Sequence, residues 1–109
     1  DGGYQSCQKI LKNKGVSAIF CADDTMAFGC LDYIKKNTKI KIPKDLELIG
    51  YDDISMSNWK SYDLTTVKQP IRQMSKLVTQ LIDDYIRDPD YETINHIVRG
   101  SLVKRKTTR

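Results

Sequence analysis

The sequence is short of the residues that most metal and nucleophile chemistries require. It has one histidine, His96, in 109 residues. A lone imidazole cannot build a multi-histidine metal site, and in an apolar stretch it reads as structural. Cysteine is scarce and odd in number: Cys7, Cys21 and Cys30. No two have C-x-x-C spacing, so neither a disulfide framework nor a zinc site is indicated, and reduced, buried thiols in a cytosolic protein are expected. No apolar run approaches the roughly 18 residues of a membrane helix. No basic start leads into an apolar stretch, so no signal peptide is read; Asp1 at the start suggests a fragment. No phosphate loop of the G-x-x-x-x-G-K-[ST] type and no Ser/His/Asp set is present. No metal, no cofactor and no catalytic residue is therefore assigned, and the chain is not read as an enzyme.

What is present is ordinary soluble-domain composition: 39% hydrophobic and 29% charged residues, enough for one small domain with a core. The net charge of +4 permits nucleic-acid binding without establishing it. The cluster Lys104, Arg105, Lys106 and Arg109 has no interleaved aromatics and reads as a solvated tail.

Periodicity supplies the elements. Tyr4, Cys7, Ile10 and Leu11 mark an amphipathic helix that Gly15 stops. Ser17 to Ala22 reads as a buried strand. Asp23 or Asp24 caps the next helix, whose apolar face holds Met26, Ala27, Cys30, Leu31 and Ile34. Leu46 to Tyr51 is a second strand, Ile54 to Tyr62 a short helix or turn, and Leu64 to Lys68 a third strand. A regular stripe from Ile71 through Met74, Leu77, Val78, Leu81, Ile82 and Tyr85 predicts a helix to about Arg87, with Pro70 tolerated at its start. Asp88, Pro89 and Asp90 form a turn, and Ile94 to Val103 contains a final strand or two. This alternation argues an α/β fold with a largely parallel sheet flanked by helices.

Ligands of open α/β sheets bind beyond the carboxyl ends of the strands. Three such ends are polar: Asp23 and Asp24, Asp52 and Asp53, and Gln69. Carboxylates and amides suit sugar hydroxyls, which both donate and accept. The plain alternative for each Asp is a helix cap or turn former. A Mg²⁺-dependent receiver that uses the Asp pairs with Thr65, Thr66 and Lys68 is a remote alternative, because their order and spacing fit it poorly.

Four segments then carry a resemblance. AIFCADDTMAFG (Ala18 to Gly29) resembles an apolar strand followed by A-N-D-x-M-A-x-G. IPKDLELIGYDD (Ile42 to Asp53) resembles V-P-x-D-[IV]-x-[VI]-x-G-[FY]-D-[DN]. LTTVKQP (Leu64 to Pro70) resembles L-T-T-[VI]-x-Q-P, and SLVKRKTT (Ser101 to Thr108) resembles L-[VI]-x-R-x-S-T. In this order they are similar to the C-terminal part of the effector domain of lactose/galactose repressor-type transcriptional regulators.

The resemblance implies a periplasmic-binding-protein-like (type I) core of two subdomains clamped around a sugar or sugar derivative. It implies a cytoplasmic, allosteric repressor, a homodimer that binds DNA through an upstream helix-turn-helix domain not in this chain. Residues 1–68 would belong mainly to the C-terminal subdomain, 69–98 would cross to the N-terminal one, and 99–109 would form a return strand and tail. Asp52 and Gln69 match family effector contacts, and Ile71 and Met74 would line the apolar side of the cleft. Asp23 stands where the family usually has Asn; an ionised Asp only accepts, so the effector would offer it a hydroxyl or amine. Asp24 would cap the helix. Phe28 and Trp59 would mark the dimer interface. A periplasmic sugar-binding receptor of the same fold is the alternative function.

Overall fold

A computed structural model of the chain describes residues 2–88, 90 and 95–109. Its elements run α1 (Gly2–Ile10), β1 (Ala18–Phe20), α2 (Asp24–Asn37), β2 (Glu47–Asp52), a 3-10 turn (Ser55–Asn58), β3 (Thr65–Lys68), α3 (Ile71–Arg87) and β4 (Ser101–Val103). The sheet order is β1-β2-β3-β4, and β1, β2 and β3 are parallel. Pro89 of the expected turn and Ile94 of the expected last strand lie outside the described residues.

The chain divides into two compact units: Asp1–Lys68 with Leu102–Arg109, and Gln69–Ser101. The core of the first unit holds Ile19 and Leu48 from the sheet, Cys7 from α1, Ala27, Phe28, Cys30, Leu31 and Ile34 from α2, with Leu46 and Leu64. Burial of this apolar area is the main force that holds the unit together. Gly3 lets α1 lie against the start of α2: a Cβ there would sit 2.1 Å from the Met26 carbonyl oxygen.

Three expectations need correction here. β1 is not a buried strand. It forms the edge of the sheet, and only Ile19 of its three residues points inward, leaving Phe20 63% exposed. Nor is Arg105 part of a solvated tail, although Lys104, Lys106 and Arg109 are exposed as that reading expects. Arg105 pairs with Asp53 at 2.7 Å with both side chains largely covered, and it donates to the Leu64 carbonyl. Lys106 reaches Asp63 at 3.2 Å and Arg109 reaches Glu47 at 2.5 Å. The last strand begins only at Ser101, so His96 is not in a strand, and it is exposed.

Thr107 fastens this tail to the sheet. Its carbonyl accepts from the Leu48 amide, and its buried hydroxyl donates to the Leu48 carbonyl and accepts from the Thr65 amide. One threonine thus satisfies backbone groups of both β2 and β3.

The second unit is carried by α3, which matches the sequence stripe residue for residue. None of its residues is buried, and Ile71, Val78, Ile82, Tyr85 and Ile86 are all more than half exposed. Within this unit Met74, Leu77, Val78 and Leu81 line a cavity of about 250 Å³ with Asn95, His96 and Val98.

Candidate functional site

The parallel register aligns two of the expected contacts. Phe20 pairs with Ile49, and Asp23 and Asp52 each lie three residues beyond that pair. Both therefore belong to the carboxyl edge of the sheet, where open α/β folds bind ligands. Gln69 follows β3 directly, and Ile71 and Met74 open α3; these three belong to the second unit. Ile71 is 64% exposed and Met74 39%.

Asp23, not Asp24, caps α2. Its backbone is extended, and its Oδ1 accepts from the Met26 amide at 2.7 Å. The cap satisfies one of the amides that a helix start leaves open. A carboxylate has about four lone-pair sites, so capping leaves half-buried Asp23 with acceptor capacity.

Asp24 sits one residue inside the helix and is 0% exposed. It gathers three donors from two later segments: the Ile54 amide at 3.0 Å and the Ser57 hydroxyl at 2.5 Å on Oδ2, and the Thr66 hydroxyl at 2.5 Å on Oδ1. Sequence reasoning missed this hub, because its partners lie 30, 33 and 42 residues away. Gly50 completes it: a Cβ there would stand 2.2 Å from Asp24 Oδ1 and 2.9 Å from a Leu64 methyl. The G-Y-D-D segment needs its glycine because β2 passes against this carboxylate.

After Gly50 the backbone turns sharply. Asp52 has φ 121° and Asp53 φ 57°, a region that side chains other than glycine rarely enter. Such strain persists only when surrounding contacts over-determine it, and it concentrates at functional sites. Asp53 supplies one such contact, held by Arg105 at 2.7 Å with Lys68 at 3.8 Å. The tail thereby fixes the turn that presents Asp52.

The interface expectation divides. Phe28 is 5% exposed and stacks on Tyr62, ring centroids 4.2 Å apart at 28°. It is a core residue of its own unit and not an exposed interface residue, because the ring of Tyr62 already covers it. Trp59 is 54% exposed just after the 3-10 turn.

No helix among the described residues is long and apolar enough to cross a membrane. Among the same residues no group of three His, Cys, Asp or Glu side chains is placed to hold a metal.

Comparison with known proteins gives this geometry its setting. Residues 3–108 match the model of the periplasmic binding protein-like domain. The chain is 36% identical over 93 residues to the HTH-type transcriptional repressor PurR of Vibrio atlanticus (strain LGP32), covering 85% of this chain and 28% of that protein. It is 34% identical over 100 residues to PurR of Vibrio cholerae serotype O1 (strain M66-2), covering 92% of this chain and 30% of that one. The chain thus spans less than a third of the curated relatives it matches. Among solved structures, a LacI family transcriptional regulator from Enterococcus faecalis V583 with bound ribose superposes with a TM-score of 0.84 and 33% identity, over 98% of this chain and 39% of that one. The lac repressor dimer bound to operator and the anti-inducer ONPF gives a TM-score of 0.82 and 30% identity, over 97% and 37%. The family match over residues 3–108 sets aside the Mg²⁺ receiver reading, which needs a different domain. The chain is similar to part of LacI-family transcriptional regulators, and it belongs to the periplasmic binding protein-like domain family.

Proposed function

We propose that the chain is part of the effector domain of a cytoplasmic, ligand-responsive transcriptional repressor and contributes one side of a sugar-type effector cleft. The observation that carries this reading is the shared register of Asp23 and Asp52 at the carboxyl edge of the sheet, inside the family's own segments. Asp52 and Asp23 bind effector hydroxyls or an amine, and Asp23 does so while it caps α2. Gln69, Ile71 and Met74 add an amide and apolar contacts from the second unit, which continues into the other subdomain. The uncovered apolar face of α3 supports that continuation, since an amphipathic helix of this strength needs a partner. The repressor acts as a homodimer with exposed Trp59 at the interface, and it meets DNA through a helix-turn-helix domain outside this chain.

Effector binding shifts a two-state closure of the cleft, with a coupling free energy of about 1–3 kcal/mol. The test is Asp52→Ala in the intact regulator, with operator affinity measured with and without effector. Operator affinity stays at the wild-type level and the effector response disappears. A normal response in this variant overturns the assignment of Asp52.

A further inference from the structure

Cys7, Cys21 and Cys30 come from α1, from the residue after β1 and from α2, and all three are buried in the first unit. The fold brings them together. The Cys30 thiol is close enough to perturb the titration of both Cys21 and Cys7. All three line one cavity of about 200 Å³, whose rim includes exposed Phe20 and Ala22. The effector site uses none of them.

We propose that Cys21 and Cys30 form a redox pair that a hydroperoxide converts to a disulfide in the folded protein, tying the end of β1 to α2. The cavity admits the small oxidant to sulfurs that the surface itself hides. The two cysteines differ in a way that assigns their roles. The hydrogen bond from Cys30 holds the Cys21 thiol below its ordinary value, which favours the nucleophilic thiolate. The same bond, with burial, pushes Cys30 far up, so it is the proton donor of the pair. Burial also raises Cys7, which makes it the less reactive bystander.

The steps balance. The Cys21 thiolate attacks one peroxide oxygen, and the O–O bond breaks. An alcohol (water, from hydrogen peroxide) leaves with the proton from Cys30, and Cys21 becomes a sulfenic acid. The Cys30 thiolate then attacks the Cys21 sulfur; the S–S bond forms and hydroxide leaves, to be protonated to water. Two thiols lose two electrons and one hydroperoxide gains them. The crosslink spans the segment that holds Asp23 and Asp24, so it fixes the start of α2 against the sheet.

Hydrogen peroxide added to the reduced chain, followed by alkylation in denaturant and peptide mass mapping, tests this. The expected product has lost two hydrogens, carries a Cys21–Cys30 link and leaves Cys7 alkylated. The reaction runs faster than global unfolding, measured on the same sample by pulse proteolysis. Cys30→Ser, which keeps a hydroxyl donor beside Cys21 but no resolving sulfur, leaves Cys21 as a sulfenic acid that a dione probe traps. A link through Cys7, no loss of mass, or oxidation only at the unfolding rate overturns the proposal. These wild-type readouts decide it even where the variant does not fold.

Discussion

Removal of the Asp24 carboxylate should cost this chain a large share of its stability. In Asp24→Ala the partly buried hydrogen bond from the Ile54 amide loses its charged acceptor, at about 1–3 kcal/mol. The Ser57 and Thr66 hydroxyls also lose their acceptor but can rotate toward other oxygens, which holds each loss to about 1 kcal/mol. The sum is about 3–5 kcal/mol, against a total of about 5–15 kcal/mol for a domain of this size. With a urea slope of about 1–2 kcal/mol/M, the midpoint falls by about 2 M or more. Asp24→Asn separates geometry from mere volume. Its amide oxygen can face Ile54 and Ser57, which share Oδ2, while its NH₂ donates to a Thr66 hydroxyl turned to accept. Asn should therefore cost only about 1–2 kcal/mol. Urea unfolding followed by the fluorescence of Trp59, in the same unit, reads both variants. An Ala variant within about 1 kcal/mol of wild type, or an Asn variant as damaged as Ala, would refute the hub.

Thr107→Val leaves the Thr65 amide and Leu48 carbonyl without their side-chain partner and should destabilise by about 2–4 kcal/mol in the same urea assay. Thr108→Val, which loses one partly buried contact to Thr65, should change it by under about 1 kcal/mol. At position 52, Gly and Ala both remove the carboxylate, but only Ala keeps a Cβ at φ 121°. Asp52→Gly should be more stable than Asp52→Ala by about 1–2 kcal/mol, and equal midpoints would count against backbone strain there. Stability should also fall as pH rises beyond 9. The Cys7 and Cys30 thiols and the Tyr62 phenol are all raised in the fold, mainly by burial for Cys7 and Tyr62 and by the bond to Cys21 for Cys30. The unfolded chain releases these protons first and so binds fewer, which lowers the unfolding free energy with increasing pH. Cys21, lowered in the fold, works in the opposite direction at pH values up to 9. Midpoints measured from pH 8 to 10.5 should therefore decline less in Tyr62→Phe, which removes one raised group and keeps the ring against Phe28, and an unchanged slope would contradict the assignment.

Local order was legible in this sequence, and long-range pairing was not. α3 could be read to the residue because its stripe repeats over several turns. The parallel β-α-β order followed from alternating patterns. The pair Asp23–Asp24 was visible as a cap, but which of the two capped was not, since one residue of shift exchanges a half-exposed acceptor for a buried one. Asp24 becomes a hub only through Ser57 and Thr66, and Phe28 becomes core only through Tyr62. Arg105 looked like part of a solvated tail because Asp53 stands 52 residues earlier. Each failure concerns a residue whose partner lies on another element, where composition and spacing carry no signal. At the candidate site, strand ends were placed by pattern, while the positive φ angles of Asp52 and Asp53 leave no mark in residue spacing.

The hold of Thr107 on β2 and β3 makes the first unit discontinuous in sequence, with residues 69–101 inserted before its closing piece. During synthesis the Leu48 and Thr65 backbone groups must wait, unsealed, until the ribosome has released a whole second unit. A nascent chain therefore carries unpaired backbone groups on β2 and β3 through that interval, when aggregation competes with folding. A premature stop before residue 107 would harm far more than the few residues it deletes, because it removes the clasp from a sheet already made.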